Sequence, residues 1–313
     1  MNSVGLKALY NQAMLDIVIK PDGPILIKAA DNLDATKPDM QFTRLRTPAG
    51  DTVYLPGSSL KGVIRSCAER LLRTQGIATC DPLGGDRCRG ESGKQKLHYS
   101  RHCYACRTFG STDLASRVFF SDAFPWPVDA KPEERQKGIT ETEKYLQVRP
   151  GIGIDRKKGT VKTGAVFDLE VLTGGEFHTR IALRNYQLWQ LGLLLYVFDD
   201  LNSGAQKLGF GKTRGLGKVT IGVTRLTVKQ YGRLAENDKQ LAGIGAVADL
   251  VETYDLIADD ALTVETQGKP ETLSLDFAFE DKALEAVLDS LKTSGSMKAL
   301  VSLSKQGKDH GTS

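Results

Sequence analysis

No stretch of the sequence approaches the ~18 consecutive apolar residues that a membrane-spanning helix needs. The first residues, from Met1 to Lys7, lack the charged and then apolar layout of a signal peptide. Five cysteines in a chain of this length do not make a small secreted disulfide scaffold, and 32 glycines without a fixed period do not make a collagen. No internal repeat is present. The sequence therefore predicts a soluble, cytoplasmic globular protein.

The composition suits a folded core. Of the 313 residues, 40% are hydrophobic and 26% are charged, which supplies enough apolar material for packing and excludes a wholly disordered chain. This length allows one large domain or two ordinary ones.

The formal net charge of +4 hides an uneven distribution along the chain. Residues 249–313 carry 13 acidic and six basic side chains, a net charge of −7, so that residues 1–248 carry +11. A basic surplus on the larger part of the chain points to an anionic partner, most often nucleic acid. A solvated surface followed by an acidic tail explains the same charges.

Hydrophobic periodicity predicts a mixed α+β fold. The helical stretches are residues 60–73, 186–201 and 281–291. The strand-like stretches are residues 15–28 (a strand pair or one bent strand), 117–124, 165–172, 177–181 and 219–228. This order predicts helices on one face of a mainly antiparallel sheet, as in a ferredoxin-like (RRM-like) fold.

We divide the chain into a core, residues 1–228, and an acidic C-terminal extension, residues 229–313, whose role the sequence does not indicate. The core carries two insertions, a cysteine-rich one over residues 76–113 and a polar, basic one over residues 127–164. Residues 29–52 form a long polar segment, and long loops inside compact domains are often functional.

Four of the five cysteines lie within 27 residues and predict a structural zinc site: Cys80, Cys88, Cys103 and Cys106. A Cys-x-x-Cys pair presents two sulfurs from one tight turn, and zinc takes four such ligands at tetrahedral corners. His98 and His102 are close enough in sequence to replace one cysteine. Redox pairing is the alternative, which a reducing cytoplasm disfavours. Cys67 falls on the apolar face of the first helix and is predicted to lie in the core.

A glycine-rich segment at residues 207–218 has four basic and no acidic side chains. It is not a P-loop, because Gln206 stands where the first glycine of that motif is required and because the segment leads into a strand instead of a helix. Its glycines allow backbone amides to approach phosphate, while Lys212 and Arg214 supply charge. An ordinary glycine-rich turn with solvated charges is the alternative.

Several motifs in order resemble a known family. The stretch Pro56–Arg65 resembles the first-helix motif of the RAMP (repeat-associated mysterious protein) superfamily, and Gly209–Gly217 resembles its glycine-rich loop. Val118–Phe124 and the stretch from Thr140 to Glu170 also match. Together these motifs, spread from about Leu15 to Val223, resemble the CRISPR RNA-binding backbone subunit of type III CRISPR effector complexes, which act in antiviral defence.

The resemblance implies a ferredoxin-like palm that binds CRISPR RNA, assembles with further copies and other effector subunits, and presents the paired target RNA for cutting. It implies that residues 131–162 correspond to a thumb hairpin that wedges between bases, with Val148, Ile152 and Ile154 available for the wedge or for packing the hairpin.

The implied RNA-binding residues belong to the first helix and the glycine-rich loop: Ser58, Ser59, Lys61, Arg65, Gly209, Gly211, Lys212, Thr213, Arg214 and Gly215. We expect Ser58 or Ser59 to cap that helix. Lys61 and Arg65 are equally compatible with solvated helix charges.

The family's cutting residue is an aspartate in the loop between the first strand and the first helix. Asp39 fits best, with Asp31 and Asp34 as other candidates, although Met40-Gln41 replace the more usual small residue and proline. The resemblance implies Mg²⁺- or Mn²⁺-dependent cleavage that leaves a 2′,3′-cyclic phosphate and a 5′-hydroxyl. Three interpretations remain open here: an RNA-guided endoribonuclease, a non-catalytic scaffold that binds CRISPR RNA, and a zinc-stabilised RNA-binding protein unrelated to CRISPR.

Overall fold

The computed structural model describes residues 7–29, 37–81, 84–85, 88–90, 97–155 and 157–306. The strands are β1 (Asn11–Pro21), β2 (Arg44–Thr47), β3 (Gly50–Val53), β4 (Val118–Phe120), β5 (Leu146–Ile154), β6 (Val161–Leu172), β7 (Phe177–Arg184), β8 (Val219–Gln230), β9 (Gln240–Ala242), β10 (Ala261–Thr263), β11 (Lys269–Pro270) and β12 (Leu275–Phe279). The helices are α1 (Gly57–Thr74), α2 (Tyr104–Phe109), α3 (Pro132–Glu143), α4 (Leu188–Asn202), α5 (Ala248–Tyr254), α6 (Asp281–Lys292) and α7 (Gly295–Gln306).

Six strands form one antiparallel sheet in the order β11-β12-β8-β1-β7-β4. Alternate residues of β1 are fully buried, among them Leu15, Ile17 and Ile19, because successive side chains of a strand point to opposite faces. The buried face packs against α1, α4 and α6. The predicted α+β class with helices on one face of an antiparallel sheet is confirmed; the ferredoxin-like topology stays a prediction.

The central helix is α4, which is buried on nearly all sides. It packs between α1, α6 and α7 as well as against β8. Gly192 allows this crowding, because a Cβ at that position would lie 2.8 Å from the carbonyl oxygen of Leu291. Because α4 is surrounded by other elements, its sequence is hydrophobic on nearly all sides.

Helix α1 begins at Gly57, with Pro56 as the residue before it, and it has no side-chain cap. The prediction that Ser58 or Ser59 caps the helix is wrong, since both lie in its first turn. The amide of Gly57 instead donates to Asp122 Oδ1 at 2.7 Å, so a side chain from elsewhere in the chain takes the role of the cap.

The polar segment that follows β1 is more ordered than its sequence suggests. Residues 44–53 form the hairpin β2–β3, where the sequence predicted a loop over residues 29–52. Ile25 and Lys28 make only isolated bridges, to Leu172 and Phe42, so β1 ends at Pro21.

Residues beyond 228 contribute to the same layers. Strand β8 continues to Gln230, and β12 pairs with it from Leu275 to Phe279. Helices α6 and α7 pack on α4, and a second apolar cluster joins residues 234–256 to Tyr99 and Leu114. The division of the chain at residue 228 stays a prediction. No helix in the described ranges is long and apolar enough to cross a membrane.

The pairing of β12 predicts that the C-terminal part is needed for stability. Phe277 is only 1% exposed, so Phe277→Ala should leave a cavity and lower the free energy of unfolding by about 3 kcal/mol or more. The drop in melting temperature is measured by differential scanning fluorimetry. Leu273→Ala is the control, because Leu273 is 82% exposed and its loss should change little. An unchanged melting temperature for Phe277→Ala contradicts the prediction.

Candidate functional site

The four clustered cysteines converge from separate segments. Cys103 precedes α2 and its sulfur accepts a hydrogen bond from the amide of Cys106, while Cys80 and Cys88 come from the chain before it. Their four sulfurs lie within 4.8 Å of one another, with 3.5 Å between Cys80 and Cys106 and 3.8 Å between Cys103 and Cys80. Zn–S bonds of about 2.3 Å at tetrahedral corners separate sulfurs by about 3.8 Å. The cluster therefore fits a metal ion such as zinc.

The two nearby histidines are engaged elsewhere. The ring of His102 contacts the carbonyl of His98 at 3.0 Å and Ser111 Oγ at 3.1 Å, and the ring of His98 contacts Ser100 Oγ at 2.9 Å. Cys67 lies apart in the core, where its sulfur contacts Asp200. Neither histidine belongs to the sulfur cluster, so the described residues favour four cysteine ligands.

Three of the clustered thiols, those of Cys88, Cys103 and Cys106, differ in pKa. Burial raises the pKa of Cys88 to about 12, and the hydrogen bond to Cys103 raises the pKa of Cys106. The same contact with Cys106 lowers the pKa of Cys103 to about 4. A bound divalent cation stabilises thiolates strongly, which offsets the cost of charging the buried sulfurs.

Lys61 and Arg65 lie on α1 beside this cluster and line a cleft of about 450 Å³ with three of the cysteines. Lys61 Nζ donates to Ser116 Oγ at 3.1 Å, and burial followed by the charge of Arg65 lowers the pKa of Lys61. Arg65 donates to Glu69, to the carbonyl of Gly110 and to Cys106 Sγ. Arg65 thus holds α1 to the cysteine-rich insertion instead of presenting a free charge.

The glycine-rich loop runs beside the segment that follows β1. The amide of Phe210 donates to the carbonyl of Leu26 at 2.7 Å, and Gly209 permits this approach because a Cβ there would lie 2.4 Å from that oxygen. Gly209, Gly211 and Gly215 all have positive φ angles, which glycine adopts without strain. The loop leads into β8, as predicted.

The charged tip of this loop faces solvent. Thr213, Arg214 and Gly215 are exposed, and Arg214 lies over the ring of Phe210. Lys212 is partly buried, and burial together with the charge of Arg70 lowers its pKa. An anion placed against this loop would relieve the repulsion between these cations.

Asp39 is exposed and is held against the edge of β6. Its Oδ2 accepts a hydrogen bond from the amide of Asp168 at 2.9 Å. The next residue, Met40, pairs with the same strand through the carbonyl of Asp168 and the amide of Glu170. Asp39 Oδ1 accepts no hydrogen bond from the described part of the chain. The other two candidates, Asp31 and Asp34, lie outside the described residues.

An ion pair fixes the same segment a few residues further on. Both guanidinium nitrogens of Arg44 donate to the Glu170 carboxylate, at 2.7 and 2.9 Å, and the amide of Phe42 donates to Glu170 Oε2 at 2.9 Å. These partners are 126 residues apart in sequence, so no local spacing indicates them. Sequence reasoning missed this pair; only the appearance of Glu170 within a family motif hinted at it.

Strands β5 and β6 form a separate two-stranded hairpin. Five of its apolar residues face solvent, with Ile154 62% exposed and the other four about half exposed or more: Val148, Ile152, Val161 and Val166. The side chains of Val148, Ile152 and Ile154 therefore lie outside the buried core of this chain. Such an exposed apolar set is typical of a surface that contacts a partner.

Backbone hydrogen bonds place several of these features side by side. The amide of Ala29 donates to the carbonyl of Gln41, and that of Thr43 donates to the carbonyl of Ile27. The amide of Tyr54, just before α1, donates to the carbonyl of Thr43. Neighbouring segments thus join four features: the glycine-rich loop, Asp39, the base of the hairpin, and the start of α1 with Ser58 and Ser59. Lys61 and Arg65 line the cleft beside the cysteines.

Comparisons with known proteins show the family of the chain. The family model of the RAMP superfamily matches residues 18–220, which is more than half of the chain, and the chain belongs to that superfamily. Among curated proteins, it is similar to the CRISPR system Cms endoribonuclease Csm3 of Methanocaldococcus jannaschii. The two sequences are 26% identical over 232 residues, which cover 70% of this chain and 85% of the relative.

The sulfur geometry predicts about one zinc ion per purified chain, measured by inductively coupled plasma mass spectrometry. Replacing both Cys103 and Cys106 by serine removes two of the four ligands and should abolish zinc binding and lower the melting temperature. Cys67→Ser is the matched control and should keep the metal. Zinc bound in equal amount by the double variant would contradict the assignment.

The Arg44–Glu170 pair predicts a pH-dependent contribution to stability. Burial raises the pKa of Glu170, but the hydrogen bonds from Arg44 and Phe42 outweigh it, so the net pKa lies below the ordinary value. The contribution is therefore complete above the unfolded-state pKa of about 4.3 and is lost as the pH falls through the lower folded-state pKa. We expect Glu170→Gln to lower the unfolding free energy by about 1 kcal/mol at neutral pH.

Thermal unfolding of both proteins from neutral to acidic pH measures this difference. Glu280→Gln, which removes an exposed carboxylate paired with Arg225, is the control and should have a smaller effect. A difference between parent and Glu170→Gln that stays constant into strong acid would refute the assignment.

Proposed function

We propose that the chain is a CRISPR RNA-binding backbone subunit of a type III CRISPR effector complex and that Asp39 cuts the paired target RNA. Membership of the RAMP superfamily and the name of the similar Csm3 protein support the class of complex. One observation carries the catalytic part: the exposed Asp39 carboxylate is anchored on β6, next to the segment that contacts the glycine-rich loop.

The proposed grip on the guide RNA uses backbone amides and positive charge. Gly215 has open space where a Cβ would stand, so phosphate can approach the loop backbone there, and Lys212, Thr213 and Arg214 supply donors. The amides of Ser58 and Ser59 lie in the first turn of α1, where a helix attracts anions. Lys61 adds charge in the adjoining cleft, and the contacts of Arg65 assign it a supporting role.

The hairpin β5–β6 fits the role of the thumb in a ferredoxin-like palm. Its exposed Val148, Ile152 and Ile154 are suited to insert between stacked bases, because apolar wedges can replace base stacking. Asp39 lies at the base of the same hairpin. If the wedge displaces a nucleotide base, the RNA backbone at that nucleotide would thus lie near the Asp39 carboxylate.

The chemistry requires the 2′-oxygen of a target nucleotide to attack the adjacent phosphorus while the bond to the 5′-oxygen breaks. Asp39 or a water takes the proton of the 2′-hydroxyl, water supplies a proton to the departing 5′-oxygen, and the products carry a 2′,3′-cyclic phosphate and a 5′-hydroxyl. The amide of Asp168 holds Asp39 Oδ2, which leaves Oδ1 to accept a hydrogen bond from that hydroxyl in the proposed complex. An exposed single carboxylate also suits Mg²⁺ or Mn²⁺, which supplies charge stabilisation at the scissile phosphate when bound.

A non-catalytic scaffold is the second candidate. It is favoured by the sequence after Asp39, where Met40-Gln41 depart from the family pattern, and by the pairing of Met40 with β6, which gives this segment a structural task. In either case the proposed partners are CRISPR RNA, target RNA and neighbouring effector subunits in the cytoplasm. Zinc at the four cysteines would be structural, because four protein ligands leave no open position.

We expect Asp39→Ala to abolish cutting of complementary RNA by the reconstituted complex while guide RNA binding is kept. The loss should be on the order of 100-fold or more, because the substitution removes a group that acts on the reacting hydroxyl. Cleavage of a labelled target on a denaturing gel measures it. Asp51→Ala is the matched control, since Asp51 is an exposed carboxylate on the neighbouring β3.

Three outcomes distinguish the alternatives. Unchanged cutting by Asp39→Ala, with loss in Asp31→Ala or Asp34→Ala, would move the catalytic role within the loop. Absence of cutting by the parent complex with guide RNA bound would favour the scaffold. Absence of a short co-purified RNA of uniform register would favour an RNA-binding protein unrelated to CRISPR.

A further inference from the structure

The sheet has a second face, opposite the helices, that the proposed function does not use. On β1 this face carries Gln12, Met14 and Asp16, which alternate with the buried core residues. The loop around Pro127 lies near Asp16 at one end of the face. The other end, around Met14, is lined by exposed or half-buried side chains.

A row of apolar and small side chains crosses this end of the sheet. The strand register places Phe119 of β4 beside Ala182, Ala182 beside Met14, Met14 beside Thr227, and Thr227 beside Ala278. Neighbouring strands are about 4.8 Å apart, so the row spans about 19 Å. Phe119 is 46% exposed, and the residue directly opposite it on β7 is the small Ala182.

Charged residues border the row, and almost all are neutralised. Lys229 pairs with Asp276 on one side, and Arg180 pairs with Asp16 and Arg225 with Glu280 on the other. Arg184 is different: it is exposed, its guanidinium lies 5.3 Å from the ring centre of Phe119, and no acidic group in the described ranges pairs with it. The uncompensated charge beside the aromatic ring is therefore positive.

This end of the face adjoins the proposed RNA path. The start of α1 packs on the end of β4 so closely that a Cβ at Gly57 would lie 2.5 Å from the carbonyl oxygen of Phe120. Ser116, just before β4, accepts the hydrogen bond from Lys61. The start of α1 and Phe119 thus lie close together at β4, the edge strand of the sheet.

We propose that Phe119 and Arg184 form a second contact site for single-stranded RNA, in which a base stacks on the aromatic ring and Arg184 binds the adjoining phosphate. This inference rests on the proposed RNA-binding function and extends it to the open face of the sheet. Aromatic side chains on an open antiparallel sheet are a general means of binding unpaired bases, and a stacked guanidinium adds attraction to both base and phosphate. Gln12, opposite Arg184 in the register, offers hydrogen bonds to a base edge.

The test uses the purified full chain, freed of nucleic acid, and a fluorescein-labelled oligouridine containing one 4-thiouridine. Fluorescence anisotropy gives the dissociation constant, and photo-crosslinking followed by mass spectrometry identifies the contacted peptide. We expect Phe119→Ala to weaken binding about 5- to 100-fold, the range for one stacked base, and to remove the crosslink at β4. Phe119→Trp should retain both, and Arg184→Gln should weaken binding and reduce its dependence on salt.

Controls separate this site from the site around Asp39. Leu273→Ala removes an apolar side chain that is more exposed than Phe119 and should bind RNA as the parent does. Normal affinity in Phe119→Ala, with weakened binding in Lys212→Ala, would overturn the second site and leave the proposed function intact. Absence of RNA binding by the parent chain would overturn both. If Phe119→Ala instead reduced self-association in light scattering at unchanged RNA affinity, the face would be a protein interface and the RNA site would be refuted.

Discussion

The placement of β1 at the centre of the sheet is the constraint on which the other features depend. Its two long antiparallel ladders, to β7 and β8, bury one side of the strand against the helices. Where β1 ends at Pro21, the chain continues along the glycine-rich loop and then beside the segment that carries Asp39. The candidate site thus lies beside the loops that follow the end of the central strand. Functional residues are commonly found on loops that a rigid scaffold positions.

Two kinds of attachment hold the loops of this site. Backbone pairing fixes Met40 to β6 and Phe210 to Leu26, and the ion pair between Arg44 and Glu170 adds a charge-assisted contact at the base of the hairpin. These contacts tie the carboxylate of Asp39 to the hairpin, so a displacement of the hairpin would also move Asp39. The cysteine cluster serves a separate region, joined to α1 through Arg65.

Sequence reasoning was accurate where the signal was local and periodic. Helix α4 and strands β6 and β8 lie close to their predicted positions, and the four cysteines lie together as their spacing indicated. It was inaccurate where a distant residue replaced a local one, and where polar composition alone was used to predict a loop. Asp122 occupies the end of α1 that Ser58 or Ser59 was expected to cap, and the hairpin β2–β3 forms in a stretch that its polar composition marked as a loop. The assigned roles of Asp39 and the RNA-binding residues stay predictions.

The sequence by itself determined the class of fold, the metal-binding potential of the cysteines and the family, because each depends on residue types at short, regular spacing. Only the tertiary structure decided which side chains meet across the chain. Arg44 and Glu170 are 126 residues apart, and Phe119 meets Arg184 through strand register. Such contacts arise from the pairing and stacking of whole elements, whose relative positions are set by burial of the shared core and not by any local pattern.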